Sequence, residues 1–254
     1  MTTIDRLEEA SFNAWPALEQ LLADGWLLRF AEGYSRRANS ANFLYPASAD
    51  PERLLPWCEE RYAAQGLPPT FRIVERPETA TVEQALERRG YRRLSSSLTL
   101  SRPLDPSAPV PDAPPLAALA LDEWLPIFTL LSGADPQGQG KHRRILEQLR
   151  LPHALGVLVA DGQPVACGLA VVDRELVGLF DLVTHPAHRR RGHAGRLISA
   201  MLAWATGQGA SAAYLQVAEQ NNAARQLYAR LGFQQRYRYW YRVRETGGAT
   251  TVTG

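Results

Sequence analysis

Arg189-Arg190-Arg191-Gly192-His193-Ala194-Gly195 is the stretch that decides how this 254-residue chain is read. An apolar run, Leu176 to Val183, comes just before it, and Pro186 separates the two. A helix-compatible apolar run, Leu197-Ile198-Ser199-Ala200-Met201-Leu202-Ala203-Trp204, comes just after. The order predicts a strand, a basic glycine-containing loop and a helix. A helix start presents N–H groups without intrahelical acceptors and the positive end of the helix dipole. Small residues at Gly192, Ala194 and Gly195 let a phosphate approach the backbone, and the arginines add charge. The loop is suited to a pyrophosphate.

Composition sets the frame around it. Apolar residues make up 45% of the chain, ordinary for a globular protein, and 254 residues allow two domains. A net charge of +2 gives no argument for a polyanionic partner. The two cysteines, Cys58 and Cys167, are too far apart in sequence to suggest a disulfide framework or a metal spacing. They fit a reducing cytosol, so a cytoplasmic location is expected. Met1 to Ala10 carries Asp5, Glu8 and Glu9 without an apolar core and does not read as a signal peptide. No apolar run approaches the ~20 residues of a membrane helix, so no membrane partner is expected.

Pro103, Pro106, Pro109, Pro111, Pro114 and Pro115 predict a semi-extended linker over 103–117. It separates residues 1–102 from 118–254. The two flanks share a pattern. Gln65-Gly66 to Val74 reads helix end, loop, strand, and Gln208-Gly209 to Val217 reads the same way at identical spacing. Leu86-Glu87-Arg88-Arg89-Gly90-Tyr91 matches Tyr228-Ala229-Arg230-Leu231-Gly232-Phe233, with one extra residue in the first half. An internal repeat accounts for this; two unrelated α/β segments with a common helix–Gly–strand ending would look alike. Where the second half has the basic loop, the first has Tyr45 to Arg53, with no glycine and with Asp50 and Glu52, which repel phosphate.

Periodicity gives the coarse elements. In the first half, Leu18–Leu22 is expected to end a helix. Gly25–Ala31 and Tyr34–Leu44 are expected as a hairpin across Glu32-Gly33. Pro51–Gln65 and Thr81–Arg89 read as helices, and Thr70–Val74 and Tyr91–Leu100 as strands. In the second half, Leu121–Leu131, Lys141–Leu149, Gly195–Gly207 and Ala223–Leu231 read as helices. Gly156–Ala160 and Pro164–Val172 form a hairpin over Asp161-Gly162, and Leu176–Val183, Ala213–Val217 and Gln235–Val243 are strands. The fold class is α/β (α+β), with a mixed, partly antiparallel sheet flanked by helices in each half.

The second half resembles the GNAT superfamily of acetyl-CoA-dependent N-acetyltransferases. A strand ends in Leu182-Val183-Thr184-His185-Pro186, and Arg189-x-x-Gly192-x-Ala194 fits the family's Gln/Arg-x-x-Gly-x-Gly/Ala pyrophosphate motif. The strand Tyr214–Val217 leads to Asn221, and Asn221-x-x-Ala224-x-x-Leu227-Tyr228-x-x-x-Gly232-Phe233 fits the second motif. The resemblance covers about 120–244, and the first half is similar to a degenerate GNAT domain without the cofactor loop, as in tandem members of the superfamily.

The resemblance implies roles. Backbone amides of Arg191, Gly192, Ala194 and Gly195 would bind the pyrophosphate of acetyl-CoA, with Arg189 and Arg196 beside them. Main chain of Leu182, Val183 and Thr184 would pair with the pantetheine arm, at a bulge that splays two strands apart. Asn221 and Ala224 would sit at the cofactor, and Tyr228 would hydrogen-bond the sulfur and protonate the departing thiolate. The chain departs from the pattern at Arg190, where the family usually has glycine, and at His193, where a small apolar residue is usual. Both side chains are candidates for the 3′-phosphate.

The general base is not fixed by any motif. Asp181, near the strand's cofactor end, is the candidate, with Glu175 and Glu219 weaker; Asp181 could equally be a strand residue satisfied by a neighbour. The acceptor would be a small-molecule or peptide amine entering between the first two helices of the second half, with Gly133–Gly140 as a mobile specificity loop. Monomer and homodimer both remain open.

Other patterns carry less. Gly138-Gln139-Gly140-Lys141-His142 fails as a Walker loop, because Asp135 and His142 stand at required positions. His185, His188 and His193 lie among arginines with no cysteine, so no metal is expected. Arg236 to Arg244 alternates basic with aromatic residues, which could suit nucleic acid; a half-buried strand is the favoured reading. The alternative to an enzyme is a non-catalytic acyl-CoA-binding sensor or interaction protein.

Overall fold

A computed structural model describes residues 3–45, 50–94, 96–105, 107–108, 110 and 113–244. In chain order the elements are α1 (Thr3–Ala14), β1 (Glu19–Ala23), β2 (Trp26–Phe30), β3 (Ala41–Phe43), α2 (Pro51–Ala64), β4 (Thr70–Val74), α3 (Ala80–Arg88), β5 (Arg92–Arg93) and β6 (Ser97–Pro103). They continue with β7 (Ala117–Leu119), α4 (Leu121–Ser132), α5 (Pro136–Glu147), β8 (His153–Ala160), β9 (Gln163–Asp173), β10 (Leu176–Thr184), α6 (His193–Gly207), β11 (Ala212–Ala218), α7 (Asn222–Arg230) and β12 (Gln234–Val243). Single 3-10 turns cover Pro77–Thr79 and Pro186–His188.

The described residues divide into two compact units. Those within 3–14, 99–217 and 221–236 form the loop-bearing unit, and those within 15–98, 218–220 and 237–244 a companion unit. This departs at both ends from the boundaries that the prolines suggest. Helix α1 packs on β9 and β10, fastened by Asn13 Nδ2 to Asp173 at 2.9 Å and by ion pairs of Arg6 with Glu175 and of Arg174 with Glu9. At the other end, β12 pairs with β4 from Tyr239↔Val74 to Val243↔Thr70. Of the linker prolines, Pro106, Pro109 and Pro111 lie outside the described residues, and Ala117 already pairs with Val157 in β8.

In the loop-bearing unit the strand order is β7-β8-β9-β10-β11-β6. The pairs from β7 to β10 are antiparallel, and β10 with β11 is parallel. Asp161 and Gly162, at φ 52° and 73°, make the expected tight hairpin. Helices α4 and α6 pack on this sheet. Gly178 sits mid-strand in β10 because the space above it is taken: a Cβ there would lie 2.6 Å from the Tyr214 hydroxyl.

In the companion unit the order is β1-β2-β3-β4-β12, with β5 also on β12, and β3 with β4 is the parallel pair. One face is an aromatic core of Trp26, Phe30, Tyr62, Phe71, Tyr91 and Trp240. Two expectations need correction. Leu18–Leu22 is not a helix end but leads into β1, because Asp24-Gly25 (φ 45° and 80°) turns the chain straight back into β2. The strands expected as a hairpin do pair antiparallel, from Trp26↔Phe43 to Leu28↔Ala41, but across a long loop over 31–40 rather than a tight turn at Glu32-Gly33. There Asn39 Oδ1 accepts from the amides of Ala31 (2.7 Å) and Gly33 (2.9 Å), and its Nδ2 donates to the Ser35 carbonyl. The basic–aromatic stretch is β12 with Arg244 just past it; Arg236 donates to Ser101 Oγ at 2.6 Å, and the later arginines are in ion pairs. Arg238 pairs with Glu75 and Glu219, Arg242 with Glu83, and Arg244 with Glu59.

The sequence repeat recurs in hydrogen bonds. At the end of α2, Gly66 N donates to Ala63 O and Leu67 N to Tyr62 O; at the end of α6, Gly209 N donates to Thr206 O and Ala210 N to Ala205 O. After α3, Tyr91 N donates to Leu86 O, and after α7, Phe233 N donates to Tyr228 O. Leu86 therefore occupies the position that Tyr228 has in the other unit.

Overpacking a central strand typically costs about 1–3 kcal/mol. Gly178→Ala is expected to lower unfolding free energy by about that amount in urea titrations.

Candidate active site

The site begins with the register of β10. Against β9 its pairing runs from Leu176↔Asp173 to Phe180↔Leu169 and resumes at Val183↔Cys167. Asp181 and Leu182 thus face a single residue, Gly168, which makes a β-bulge. Asp181 takes φ 49°, a left-handed conformation uncommon outside glycine. Against β11 the parallel register covers Leu176↔Ala212 to Leu179↔Leu215 and ends there. From Phe180 to Thr184 the other side of β10 therefore has no strand in register. Leu182 turns its side chain over Gly168, beside Met201 of α6, and Thr184 O accepts from Arg189 Nε at 3.3 Å. The bulge and the splayed strands are those the GNAT resemblance implies.

At the bulge, Asp181 Oδ2 lies 2.9 Å from His142 Nε2. His142 comes from α5 and is 1% exposed, its ring edge-on to Phe128 at 4.8 Å and to Trp124 at 6.1 Å. Cys167 is buried behind it; burial, and then the Asp181 carboxylate, push its thiol up to about 12. The stretch expected as a mobile loop, Gly133–Gly140, is mostly helix. Gly133 ends α4 at φ 67°, and Asp135 caps α5 by accepting from Gln137 N at 3.0 Å. The false Walker pattern therefore lies within α5, and the residue that broke it, His142, reaches Asp181. The signal for an inward His142 was its helical spacing from Ile145 and Leu146, both buried.

After the turn at Pro186–His188 the basic loop enters α6. Gly192 is the N-cap at φ 79° with no side-chain cap, and Arg196 N makes the first helical bond to Gly192 O at 3.1 Å. The amides of His193, Ala194 and Gly195 consequently have no intrahelical acceptor. A Cβ at Gly192 would meet nothing within 4 Å, and one at Gly195 would meet only Leu227 of α7, at 3.8 Å. Arg190 stands at φ 64°, which explains why glycine is usual there; the backbone turn is retained at a cost of about 1 kcal/mol. Arg189, Arg190, Arg191 and Arg196 are exposed around this helix start. His193 titrates below the usual imidazole range through burial, and through the charges of His188, Arg196 and Arg191. Among the described residues no group of three His, Cys, Asp or Glu side chains could hold a metal ion. The start of α2 differs in kind, because there Asp50 Oδ1 accepts from Glu52 N at 3.0 Å and fills the position with a carboxylate.

Asn221 caps α7, its Oδ1 accepting from Ala224 N at 3.1 Å, so its side-chain oxygen serves the helix. Tyr228, one face of α7, is 8% exposed and lies edge-on to Phe233 at 6.1 Å. Its hydroxyl makes no hydrogen bond to the described residues, and burial pushes it up to about 12. Glu175, in the turn after β9, pairs with Arg6, and Glu219 pairs with Arg238. Neither is placed at the bulge.

A bulged strand parted from its parallel neighbour, followed by an uncapped basic helix start, defines the GNAT type of acyltransferase fold. The sequence model described as "Probable histone acetyltransferase Rv0428c C-terminal" matches residues 2–242, and the chain belongs to that family of the GNAT superfamily. It is 31% identical over 238 residues to "Probable histone acetyltransferase Rv0428c" of Mycobacterium tuberculosis (strain ATCC 25618 / H37Rv), covering 91% of this chain and 70% of that one. It is 26% identical over 255 residues to "Uncharacterized N-acetyltransferase YobR" of Bacillus subtilis (strain 168), covering 96% and 100%. In fold it matches a GCN5-related N-acetyltransferase from Kribbella flavida with TM-score 0.70, at 19% identity over 97% of both chains. It also matches a tandem GNAT protein from the clavulanic acid biosynthesis pathway with TM-score 0.63, at 16% identity over 96% and 89%. Among the described residues no helix is long and apolar enough to cross a membrane.

His193 supplies a reporter for the loop. In an NMR titration its midpoint is expected below the reference value of 6.5, because burial and nearby cations disfavour its charged form. An added pyrophosphate anion held at the helix start should raise that midpoint, since the anion favours the imidazolium.

Proposed function

We propose that the chain is an acetyl-CoA-dependent N-acetyltransferase that moves an acetyl group to a primary amine by direct attack. The observation that carries this reading is the gap beside β10 past Leu179, which leads along the chain to the uncapped start of α6. The main chain of Leu182 to Thr184 would pair with the pantetheine arm as an added strand. Amides of Arg191, Gly192, Ala194 and Gly195 would hold the pyrophosphate. The cations of Arg189, Arg190, Arg191 and Arg196, with His193, surround the loop for the 3′-phosphate, and Asn221 and Ala224 border the cofactor.

The chemistry then needs two proton movements. The amine nitrogen bonds to the thioester carbon, and its proton becomes acidic as that bond forms, so a carboxylate such as Asp181 is a sufficient acceptor. The C–S bond breaks, and the departing thiolate takes the Tyr228 proton. Tyr228 suits that role because a phenol raised to about 12 stays protonated at neutral pH.

The acceptor is a small-molecule or peptide amine entering between α4 and α5, and the turn at 133–135 joining them is able to shape its entry. The companion unit is a GNAT-like partner without its own cofactor. Its support is Leu86 in place of Tyr228 and the Asp50 carboxylate in place of the open Gly192. Two free buried cysteines fit a reducing, cytoplasmic setting.

A thiol-release assay with acetyl-CoA and an amine panel tests the activity. Tyr228→Phe is expected to lower kcat by roughly 10²-fold with the acetyl-CoA Kd within about twofold. Loss of acetyl-CoA binding in proportion to the rate would remove Tyr228 as the acid, and binding without turnover in the unaltered protein would point to a sensor. Because the phenol titrates near 12, the wild-type rate should show no alkaline fall from Tyr228 below pH 10.

A further inference from the structure

The His142–Asp181 contact is unusual on several counts. Asp181 is the bulge residue itself, held at φ 49° where the strand turns off its regular path. Its Oδ2 lies against His142 Nε2 at 2.9 Å, and its Oδ1 has no hydrogen-bonding partner among the described residues. The carboxylate is thus held by one oxygen and presented by the other. The side chain that holds it is buried, with aromatic rings of α4 on its edges. Asp181 keeps 14% of its side-chain surface exposed, against 1% for His142. A substrate can therefore touch the carboxylate and not the imidazole.

We infer that His142 is a positioning residue, which fixes the rotamer of Asp181 at the bulge so that Oδ1 can take the proton of the attacking amine. The inference rests on the proposed amine acetylation. With an ionised carboxylate, His142 donates Nε2–H to Oδ2, and the opposite tautomer would set two acceptors against each other. Besides His142 from α5, the Cys167 thiol of β9 lies near Asp181, and being buried it stays neutral. The pair also ties α5 to β10, so the helix that follows the 133–135 turn is anchored at the reacting centre rather than beside it.

Two substitutions separate positioning from simple packing. His142→Phe keeps an aromatic ring and loses the donor, whereas the amide nitrogen of His142→Gln can reach Oδ2 in place of Nε2. His142→Phe should lower kcat about 10- to 100-fold, with the KM for acetyl-CoA within about twofold. His142→Gln should recover most of the rate. Equal rates in His142→Phe and wild type would overturn the assignment. So would a loss that His142→Gln shares fully. If His142→Phe does not fold, the 15N signals of His142 decide the matter in Asp181→Asn. The Nε2–H tautomer should change there, and unchanged signals would overturn the pairing. A wild type that binds acetyl-CoA yet acetylates no amine would defeat the proposed function itself, an outcome distinct from a working enzyme indifferent to residue 142.

Discussion

One extra residue in β10 sets the rest of the site. Asp181 has no counterpart across from it on β9, and fitting it in requires a left-handed backbone. The insertion redirects the strand after it has already paired with β11 through Leu179. A regular strand would continue that pairing and close the sheet. With the bulge, the main chain of 180–184 keeps donors and acceptors facing an open side, at the point where the chain runs into the basic loop. Gly168 and Gly178 serve the same constraint from either side. Gly168 makes room for Leu182, and Gly178 makes room for Tyr214, so the strand can bend without a void or a clash.

The helix starts inside the two parallel crossovers, β3-α2-β4 and β10-α6-β11, show how the same supersecondary unit can be left open or closed. A side-chain cap is generally worth about 1 kcal/mol to a helix. Helix α2 takes that stabilisation from Asp50, and its first turn is already served by an anion of its own. Helix α6 forgoes a cap at Gly192 and is surrounded by exposed guanidinium groups. Its first-turn amides are left to water or to an anion. The difference lies in local backbone chemistry, because the helix C-termini of the two units keep matching hydrogen bonds.

Much of this was legible in the chain, and the gaps have physical causes. The strand–loop–helix around Gly192, the Asp161-Gly162 hairpin and the paired helix ends were readable because they depend on local spacing and on turn residues. The helix expected from Lys141 starts earlier, at Pro136, after the Asp135-Pro136 start signal; Gly138 and Gly140 argue against a helix there, and tertiary packing overrides them. The segment at Leu18–Leu22 misled for the opposite reason: Leu21 and Leu22 are 43% and 63% exposed on an edge strand, so their apolar character did not mark a core. The ownership of α1 and β12 was invisible because it depends on long-range pairing, which prolines do not report. His142 is the instructive miss. As a failed motif position it signals no role, and its contact with Asp181 spans 39 residues and needs both the bulge and the helix.

The buried cysteines carry a consequence for the order of events. Cys58 and Cys167 are both inaccessible, and burial pushes each thiol up to about 12, the charges of Glu59 and Asp181 respectively adding to it. Neither can form the thiolate that would accept an acyl group from a thioester at neutral pH. Neither cysteine is therefore suited to act as an acyl carrier between two half-reactions. That agrees with the proposed direct attack, in which donor and acceptor would occupy the protein together.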